Sequence, residues 1–406
     1  MSHVIVIGAG ITGVTTAYAL LRRGHEVTVL ERHPYAALET SFANGGQLSA
    51  SNAEVWNQWS NVAHGIRWIF TRSAPLLLNP KPSWHKLSWL GEFVGQIRRY
   101  EENTIETVRL AIEARRHLFE IAERENIAFD LERRGLMHVY RDKASFSHAA
   151  EVNTLLKRGG LEREAVTVEE IKAIEPSLEG TFHGGFFTPR DASGDICRFT
   201  RGLAAACERL GGRFVHGVEV QAIRDAERGR VVAWQSVDDA QVKGELEGDR
   251  VVICAGVGSR RLAALVGERL NVYPVKGYSI TVAVKPQDVD HAPRVALLDD
   301  AAKIVTSRLG DGRFRIAGTA ELNGYNRDVR ADRIAPLVNW TRRHFPKLDT
   351  SDVAVWAGLR PMLPGMLPRV GASRRARNVY FNTGHGHLGW TLSCATAEMI
   401  AGEMSA

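Results

Sequence analysis

Residues 3–31, HVIVIGAGITGVTTAYALLRRGHEVTVLE, decide the fold of this chain. The apolar run before Gly8 is short, which is typical of a buried parallel strand, and the apolar residues after Gly10 recur at helical spacing. A second apolar run ends at Glu31, so the stretch predicts a strand, a helix and a second strand in one unit. This unit predicts an α/β fold with a Rossmann-like domain.

The turn between the first strand and the helix, Gly8-Ala-Gly10-Ile11-Thr12-Gly13, has the pattern GxGxxG and predicts a dinucleotide site. Gly8 permits the tight turn, Gly10 lets a pyrophosphate approach the backbone, and Gly13 lets helix and strand pack closely. The pyrophosphate then lies at a helix N-terminus, where free N–H groups favour an anion. Glu31, about 20 residues further on, is placed to accept hydrogen bonds from ribose hydroxyls. FAD and NAD both use this unit, so it does not choose between them.

A second glycine-rich loop lies near the other end of the chain, Thr383-Gly384-His385-Gly386-His387-Leu388-Gly389. It follows a predicted strand at 379–382 and opens an Ala-rich helix, so its N–H groups are placed to meet the pyrimidine edge of a flavin. Negative charge develops at that edge when the flavin is reduced, and a helix N-terminus stabilises it. The loop therefore favours FAD over NAD. His385 and His387 resemble a metal pair, but no third ligand is evident, and we predict no metal site.

The composition excludes several classes of protein. The chain has 406 residues, 44% of them hydrophobic and 24% charged, which is typical of a globular protein and not of a disordered or collagen-like one. Its four cysteines are scattered without CxxC spacing, which excludes a disulfide scaffold. No apolar run reaches about 18 residues, and the N-terminal run is too short for a signal peptide, so we expect a cytoplasmic location. The net charge of +6 mildly favours anionic partners, but no basic block with interleaved aromatics predicts nucleic-acid binding.

Further elements follow from periodicity. We expect helices at 101–125 and 195–210, the second with Asp195 as N-cap, and a buried strand at 250–254 that stops at Ala255-Gly256. Residues 275–284 and 313–318 alternate in polarity in the manner of antiparallel strands. Residues 51–95 hold five of the nine tryptophans and three prolines, which predicts an excursion with short helices. Core or pocket-lid packing is the favoured role for this segment, and a membrane or acceptor surface is the alternative.

Four segments beyond the first glycine motif carry a resemblance to a known family. They are Leu38-Glu-Thr-Ser-Phe-Ala-Asn-Gly45, Tyr273-Pro-Val-Lys-Gly-Tyr-Ser279, Trp356-Ala-Gly-Leu-Arg-Pro-Met362 and Asn382-Thr-Gly-His-Gly-His-Leu-Gly-Trp-Thr391. With them the chain resembles, over nearly its whole length, the bacterial FAD-dependent D-amino acid dehydrogenases of the small-subunit type, in the D-amino acid oxidase/glycine oxidase superfamily.

The resemblance implies a discontinuous two-domain fold. Residues 1–50, 185–272 and 350–406 are expected to form a Rossmann-like FAD-binding domain, and residues 51–184 and 273–349 a mixed-sheet α+β domain that binds the substrate. It also implies an activity, the oxidation of a D-amino acid by hydride transfer from Cα to flavin N5. Water then converts the imine to a 2-oxo acid and ammonia. The electrons are expected to pass to a quinone or another respiratory carrier, which makes peripheral association with the inner face of the cell membrane an alternative to a purely cytoplasmic location.

Roles for single residues also follow from the resemblance. Arg360 is expected to bind the substrate carboxylate, since a planar guanidinium holds a carboxylate at two points. Tyr278 is expected to face the active site, with a half-buried core tyrosine as the alternative. Glu54 and Glu321 are candidate pocket acids, although a solvated carboxylate is the favoured interpretation for each. The expected cofactor-binding residues are Gly8, Gly10, Ile11, Thr12, Gly13, Glu31, Arg32, Thr40, Ser41, Gly46, Gln47, Leu48, Val220, Ala255, Gly256, Gly384, His385, Gly386, His387, Leu388 and Gly389.

Two segments depart from the family pattern and leave the substrate open. They are Ser49-Ala-Ser-Asn-Ala-Glu-Val-Trp56 and Pro361-Met-Leu-Pro-Gly-Met-Leu-Pro368, and both are expected to border the pocket. The alternatives are therefore a dehydrogenase of a cyclic imino acid such as D-proline or a hydroxyproline, and an oxidase of glycine or D-amino acids that makes hydrogen peroxide. A nucleotide-binding module without turnover is the alternative from another class.

Overall fold

A computed structural model describes residues 2–68 and 75–405 of the chain. Its α-helices are α1 Ile11–Leu21, α2 Trp59–Trp68, α3 Trp84–Gly95, α4 Tyr100–Arg124, α5 Lys143–Arg158, α6 Val168–Ile174, α7 Ile196–Arg209, α8 Ser259–Leu265, α9 Ala331–His344 and α10 Gly389–Ser405. Its strands are β1 His3–Ile7, β2 Glu26–Leu30, β3 Gln47–Leu48, β4 Leu76–Leu78, β5 Leu136–Tyr140, β6 Glu164–Val166, β7 Gly184–Thr188, β8 Ala192–Ser193, β9 Arg213–Val215, β10 Val218–Asp225, β11 Arg230–Ser236, β12 Lys243–Gly248, β13 Arg250–Ile253, β14 Tyr273–Ala283, β15 Ala296–Asp299, β16 Ile304–Leu309, β17 Arg313–Leu322, β18 Val353–Met362, β19 Arg369–Ala372 and β20 Val379–Thr383.

The nucleotide unit is built on a six-stranded sheet in the order β19-β20-β13-β1-β2-β9. β1 lies at its centre and pairs in parallel with both β2 and β13, which confirms the predicted strand–helix–strand unit. Alternate residues of β1 enter different cores: Val4 and Val6 pack in the cluster that contains α1 and α10, whereas Ile5 and Ile7 pack with β10, β11 and α8. Both faces of this strand are buried, which explains its uninterrupted apolar sequence.

The second sheet is mixed and larger, in the order β18-β14-β17-β16-β15-β5-β7-β6, with β4 paired to β17. The strands predicted at 275–284 and 313–318 are confirmed as β14 and β17. They pair with each other in antiparallel orientation, and their register shifts at a bulge between Gly277 and Tyr278. β18 and most of β7 lie in this sheet, although their residues fall within the ranges predicted for the FAD-binding domain. β14 holds β18 there through ten paired positions. The division into two domains otherwise stays a prediction.

The other predicted elements are largely confirmed. The helix expected at 101–125 is α4. Asp195 caps α7, as predicted, by accepting hydrogen bonds from the N–H groups of Cys197 at 2.9 Å and Arg198 at 3.2 Å. In the Trp-rich segment, α2 and α3 are the short helices predicted, while residues 69–74 lie outside the described part of the chain. None of the helices within residues 2–68 and 75–405 is long and apolar enough to cross a membrane.

Candidate functional site

A cavity of about 1130 Å³ runs between the two large sheets. Its walls include the turn before α1, the end of β13 and the loop before α10. The neighbouring strands β14 and β18 of the large sheet also contribute. It brings together the residues predicted to bind cofactor or substrate, with two exceptions. Gly13 and Leu48 do not border the cavity, and Leu48 lies in the core beneath it.

The three glycines of the first motif have different physical roles. Gly8 has a φ of +106°, in the left-handed region that glycine tolerates. A Cβ on Gly13 would lie 1.8 Å from the carbonyl oxygen of Gly8, so Gly13 permits the contact of helix and strand. A Cβ on Gly10 would meet only Ser41 Oγ, at 3.6 Å, and Gly10 borders the cavity. The backbone at Gly10 is therefore open to a ligand at the N-terminus of α1.

Glu31 is fixed at the end of β2. One carboxylate oxygen accepts a hydrogen bond from Ala9 N at 2.6 Å and the other from His33 N at 2.9 Å. Each oxygen keeps a further lone pair, and the residue borders the cavity, so it can still accept a ribose hydroxyl. Arg32 is exposed and pairs with Glu39.

Val220 borders the same end of the cavity from β10. Its carbonyl oxygen accepts a hydrogen bond from the Arg261 guanidinium at 2.9 Å. Arg261 also borders the cavity and was not among the predicted residues, because nothing in the sequence marks an arginine that is brought to β10 from a distant helix.

The segment from Thr40 to Gln47 is fastened to the large sheet. Thr40 Oγ1 donates to Leu359 O at 2.8 Å, and Gln47 Nε2 donates to Leu297 O at 2.9 Å and Thr306 O at 3.1 Å. The other side-chain atom of Gln47, Oε1, is buried and has no hydrogen-bond partner within the described residues. An unpaired buried acceptor beside a cavity is available to pair with a ligand.

The loop before α10 is held against the end of β18, because Gly386 N donates to Pro361 O at 2.9 Å. Gly384 has a φ of +79°, and a Cβ there would lie 2.3 Å from Leu363 Cδ1. Burial lowers the pKa of His385 to about 3, and burial together with the Arg360 charge lowers the pKa of His387 to about 4. Both imidazoles are therefore neutral at pH 7.

The rings of these two histidines are tied to the protein. His385 Nε2 is hydrogen-bonded to Thr396 Oγ1 at 2.9 Å, and His387 stacks on Trp56 with ring centroids 4.8 Å apart. Within the described residues no group of three or more potential ligands could hold a metal ion.

Ala255 and Gly256 border the cavity at the end of β13, as predicted for cofactor-binding residues, although the contact itself stays a prediction.

Arg360 is a positively charged residue of the cavity wall. It lies on β18 opposite Val275, and its guanidinium lies over Gly277, where a Cβ would be only 2.3 Å from Nη1. No carboxylate of the described residues acts on its charge, and Nη1 is buried without a hydrogen-bond partner among them. Burial lowers the pKa of Arg360 to about 10, and no acidic neighbour opposes that effect. Since it remains a cation at pH 7, the cavity presents a half-buried cation that no anion of the described residues balances.

Tyr278 is placed differently from Arg360. Successive side chains of a strand point to opposite faces of the sheet. Tyr278 pairs with Ala357, whereas Arg360 pairs with Val275, so Tyr278 and Arg360 point to opposite faces. Its ring belongs to the core cluster on the reverse face, and its hydroxyl donates to Asp328 O at 3.4 Å. Burial raises the pKa of this hydroxyl, and nearby Glu321 raises it further. Tyr278 nevertheless borders the cavity, and its active-site role stays a prediction.

The two candidate acids also differ from each other. The expectation of a solvated carboxylate is wrong for Glu321, which is 2% exposed and lies 3.0 Å from Lys276 Nζ on the reverse face. Glu54 borders the cavity and accepts a hydrogen bond from the Tyr100 hydroxyl at 2.6 Å.

Both segments that depart from the family pattern reach the cavity. Segment 49–56 does so through several residues up to Trp56, and segment 361–368 through its first two residues.

The large sheet has two adjacent positions without side chains, and we call them the bare patch. Gly277 and Gly358 lie directly opposite each other in the paired strands. A Cβ on Gly358 would lie 2.1 Å from the ring of Trp356, so the patch is covered by the Trp356 indole and the Arg360 guanidinium. Neither glycine was among the residues predicted to line the site. Two glycines inside predicted strands are nevertheless a signal of close approach.

Another missed residue is Thr319, which borders the cavity from β17 with a φ of +50°. It lies at the bulge opposite Gly277 and Tyr278, and its hydroxyl is buried without a partner in the described part of the chain. A bulge re-aims a side chain, and nothing in the local sequence marks its position.

The residues present fit a flavin dinucleotide. The open backbone at Gly10, the carboxylate at Glu31 and the loop at 384–389 all border one continuous cavity. Gln47, whose Oε1 is unpaired among the described residues, borders the same cavity.

Comparisons with known proteins agree with this fit. A sequence profile of the DAO family, described as FAD dependent oxidoreductase, matches residues 3–403. D-amino acid dehydrogenase 3 of Mesorhizobium japonicum is 59% identical over 403 residues, which are 99% of this chain and 96% of that protein. D-amino acid dehydrogenase of Dechloromonas aromatica is 40% identical over 98% of this chain and 97% of its own length. The crystal structure of glycine oxidase from Geobacillus kaustophilus has the same fold, with a TM-score of 0.76 at 22% identity, and the match covers 100% of this chain and 95% of that one.

Proposed function

The chain belongs to the DAO family of FAD-dependent oxidoreductases, and from this premise we propose that it oxidises D-amino acids to 2-oxo acids and ammonia. One observation carries the proposal: Arg360 borders the cavity, and its guanidinium has no carboxylate partner among the described residues. An amino acid supplies that anion next to the carbon that is oxidised. The names of the relatives at 59% and 40% identity support the D-configured substrate.

The chain's own part in the reaction is to bind and orient the substrate. Arg360 holds the carboxylate at two points, which fixes the position of Cα more strictly than a lysine does. Gly277 leaves room for the guanidinium to lie flat on the sheet. Bound FAD supplies the acceptor for the Cα hydrogen and its electron pair. The resulting imine is hydrolysed by water, which needs no further group of the protein.

We assign the two ends of the cofactor to the two glycine loops. The open backbone around Gly10 holds the pyrophosphate, and Glu31 accepts the ribose hydroxyls. The N–H groups of the loop 384–389, at the N-terminus of α10, take the charge that develops on the pyrimidine edge. The segment 40–47 runs along the flavin, and the paired donors of Gln47 keep it in place.

The acceptor of the electrons is proposed to be a quinone or another respiratory carrier, reached at the inner face of the cell membrane. The word dehydrogenase in the names of the relatives supports an acceptor other than oxygen. Trp84 on α3 and Trp59 on α2 are 82% and 66% exposed, and exposed indoles favour membrane interfaces.

Anaerobic flavin bleaching tests the proposed function. The purified protein is expected to be yellow, to bleach with D-amino acids but not with their L-enantiomers, and to release a 2-oxo acid. Bleaching restricted to D-proline or a hydroxyproline would instead show a cyclic imino acid dehydrogenase. Hydrogen peroxide formed in step with the 2-oxo acid in air would show an oxidase. A colourless protein that cannot be reconstituted with FAD would refute the proposal.

A further inference from the structure

Residues 279, 277 and 275 of β14 lie on the face of the sheet that borders the cavity, one after another along the strand. Ser279 Oγ donates to Ala43 O at 2.7 Å and so contacts the segment assigned to the flavin. Gly277 lies beneath the Arg360 guanidinium, and Val275 follows as a buried residue of the same face. Alternate residues of a strand are about 6.6 Å apart. Arg360 therefore lies between the flavin segment and the region beyond it.

That region has an apolar floor made by neighbouring strands. Ala320 of β17 pairs with Gly277, Leu76 of β4 pairs with Ala320, and Leu78 pairs with Leu322. All of these positions border the cavity. Strands are spaced by about 4.8 Å, so the floor extends roughly 14 Å from β18 to β4. We call the space above Val275, Ala320, Leu322, Leu76 and Leu78 the apolar arm.

The roof of the apolar arm is formed by aromatic side chains of α3. Trp89 of α3 is buried, and its Nε1 donates to Met362 O at 2.8 Å. Phe93 stacks on Trp89 with ring centroids 5.3 Å apart. Both rings border the cavity and belong to the same core cluster as Val275 and Leu322.

The charges of these strands lie on the reverse face. Lys276 and Glu321 alternate with the residues of the floor, pair with each other and do not border the cavity. Leu77, between Leu76 and Leu78, also does not border it. A charged side chain placed in the apolar arm would lose its hydration and meet an apolar floor and roof.

We propose that the apolar arm holds the side chain of the substrate, and that the enzyme selects D-amino acids with large apolar side chains over charged ones. The inference rests on the proposed function, because Arg360 must hold the carboxylate for the side chain to point away from the flavin segment. Each methylene that enters the arm then strengthens binding about 4-fold.

Binding of unreactive carboxylates tests the apolar arm without turnover. The holoenzyme is titrated calorimetrically with propanoate, pentanoate and heptanoate, and Kd is expected to fall about 4-fold per methylene. Pentanedioate is expected to bind at least about 10-fold more weakly than pentanoate, because its second charge is desolvated. A Kd that does not depend on chain length would overturn the inference even if D-amino acids bleach the flavin. If no D-amino acid bleaches the flavin, the proposed function fails while this series still tests the arm.

A pair of variants on opposite faces tests the assignment of residues. Ala320→Leu fills the arm and is expected to lower the ratio of kcat/KM for D-phenylalanine to that for D-alanine at least about 10-fold. Leu77→Ala, on the reverse face of the adjoining strand, is the matched control and leaves this ratio within about 2-fold. The FAD absorption spectrum reports whether each variant is folded. An unchanged ratio in Ala320→Leu, or a change only in the KM of the electron acceptor, would overturn the inference.

Discussion

Replacing Gly277 by alanine tests the carboxylate site through a single methyl group. The added Cβ would lie 2.3 Å from Nη1 and 2.4 Å from Cζ and Nη2 of Arg360. Ordinary contacts begin at 3.4 Å, so the guanidinium must move by about 1 Å from its place on the sheet. The backbone is not obstructed, and the atoms that clash are the far end of a long side chain. We therefore expect the variant to fold and to bind FAD.

The magnitude follows from the bond that is lost. A charge-assisted hydrogen bond contributes about 1.5–3 kcal/mol, and a bidentate pair depends on the alignment of both of its bonds. Displacement of the guanidinium in Gly277→Ala should therefore lower kcat/KM for D-amino acids roughly 10- to 150-fold. The loss should be expressed mainly in KM, since the carboxylate is held in both the ground state and the transition state.

The assay is steady-state reduction of a dye by the D-amino acid, together with calorimetric binding of an unreactive carboxylate. Gly91→Ala is the matched control, because a Cβ on this glycine of α3 meets no atom within 4 Å. Arg360→Ala should be at least as impaired as Gly277→Ala, and the double variant should lose little more than Arg360→Ala alone, since both changes remove the same interaction. A folded Gly277→Ala enzyme with unchanged kcat/KM and carboxylate Kd would refute the role of Arg360.

Three further predictions concern the cofactor site and the stability of the fold. Gly13→Ala places a methyl 1.8 Å from a backbone carbonyl oxygen, so it should lower the thermal midpoint by several degrees, whereas Gly10→Ala should keep that midpoint but weaken FAD binding in a reconstitution titration. Glu321→Gln removes the carboxylate that pairs with buried Lys276 and should cost roughly 3–5 kcal/mol in urea unfolding. Because burial lowers the pKa of His385 to about 3, the unfolded chain binds a proton that the folded chain does not between about pH 3 and pH 6.5. Unfolding free energy, measured in denaturant at several pH values, should therefore decrease as the pH falls through this range, and less steeply in His385→Gln.

Much of the nucleotide unit was predictable because its determinants are local. The apolar run before Gly8, the helical spacing after Gly10 and the carboxylate at Glu31 lie within one short stretch, and each follows from backbone sterics or periodicity. Asp195 was identified as an N-cap on the same basis, since a cap bonds to N–H groups two or three residues away. Features of this kind do not depend on the rest of the fold.

The reverse face of the large sheet could not be predicted in this way. Glu321 was expected to be solvated, yet it is paired with Lys276, and Tyr278 joins them on the side away from Arg360. Which face a side chain occupies depends on strand register, and a shift by one residue exchanges the two faces. The bulge beside Gly277 adds a further change of face that local sequence does not mark.

By itself, the sequence predicted a dinucleotide site at two glycine loops, and its motifs indicated a flavin and an arginine for the substrate. Only the tertiary structure decided that Arg360 lies on a bare patch formed by Gly277 and Gly358, without an anion among the described residues, at the entrance of an apolar arm. The physical reason is distance along the chain. Glycine conformation and helical periodicity are encoded by neighbours, whereas the charge balance and shape of a cavity depend on strands that pair across tens or hundreds of residues.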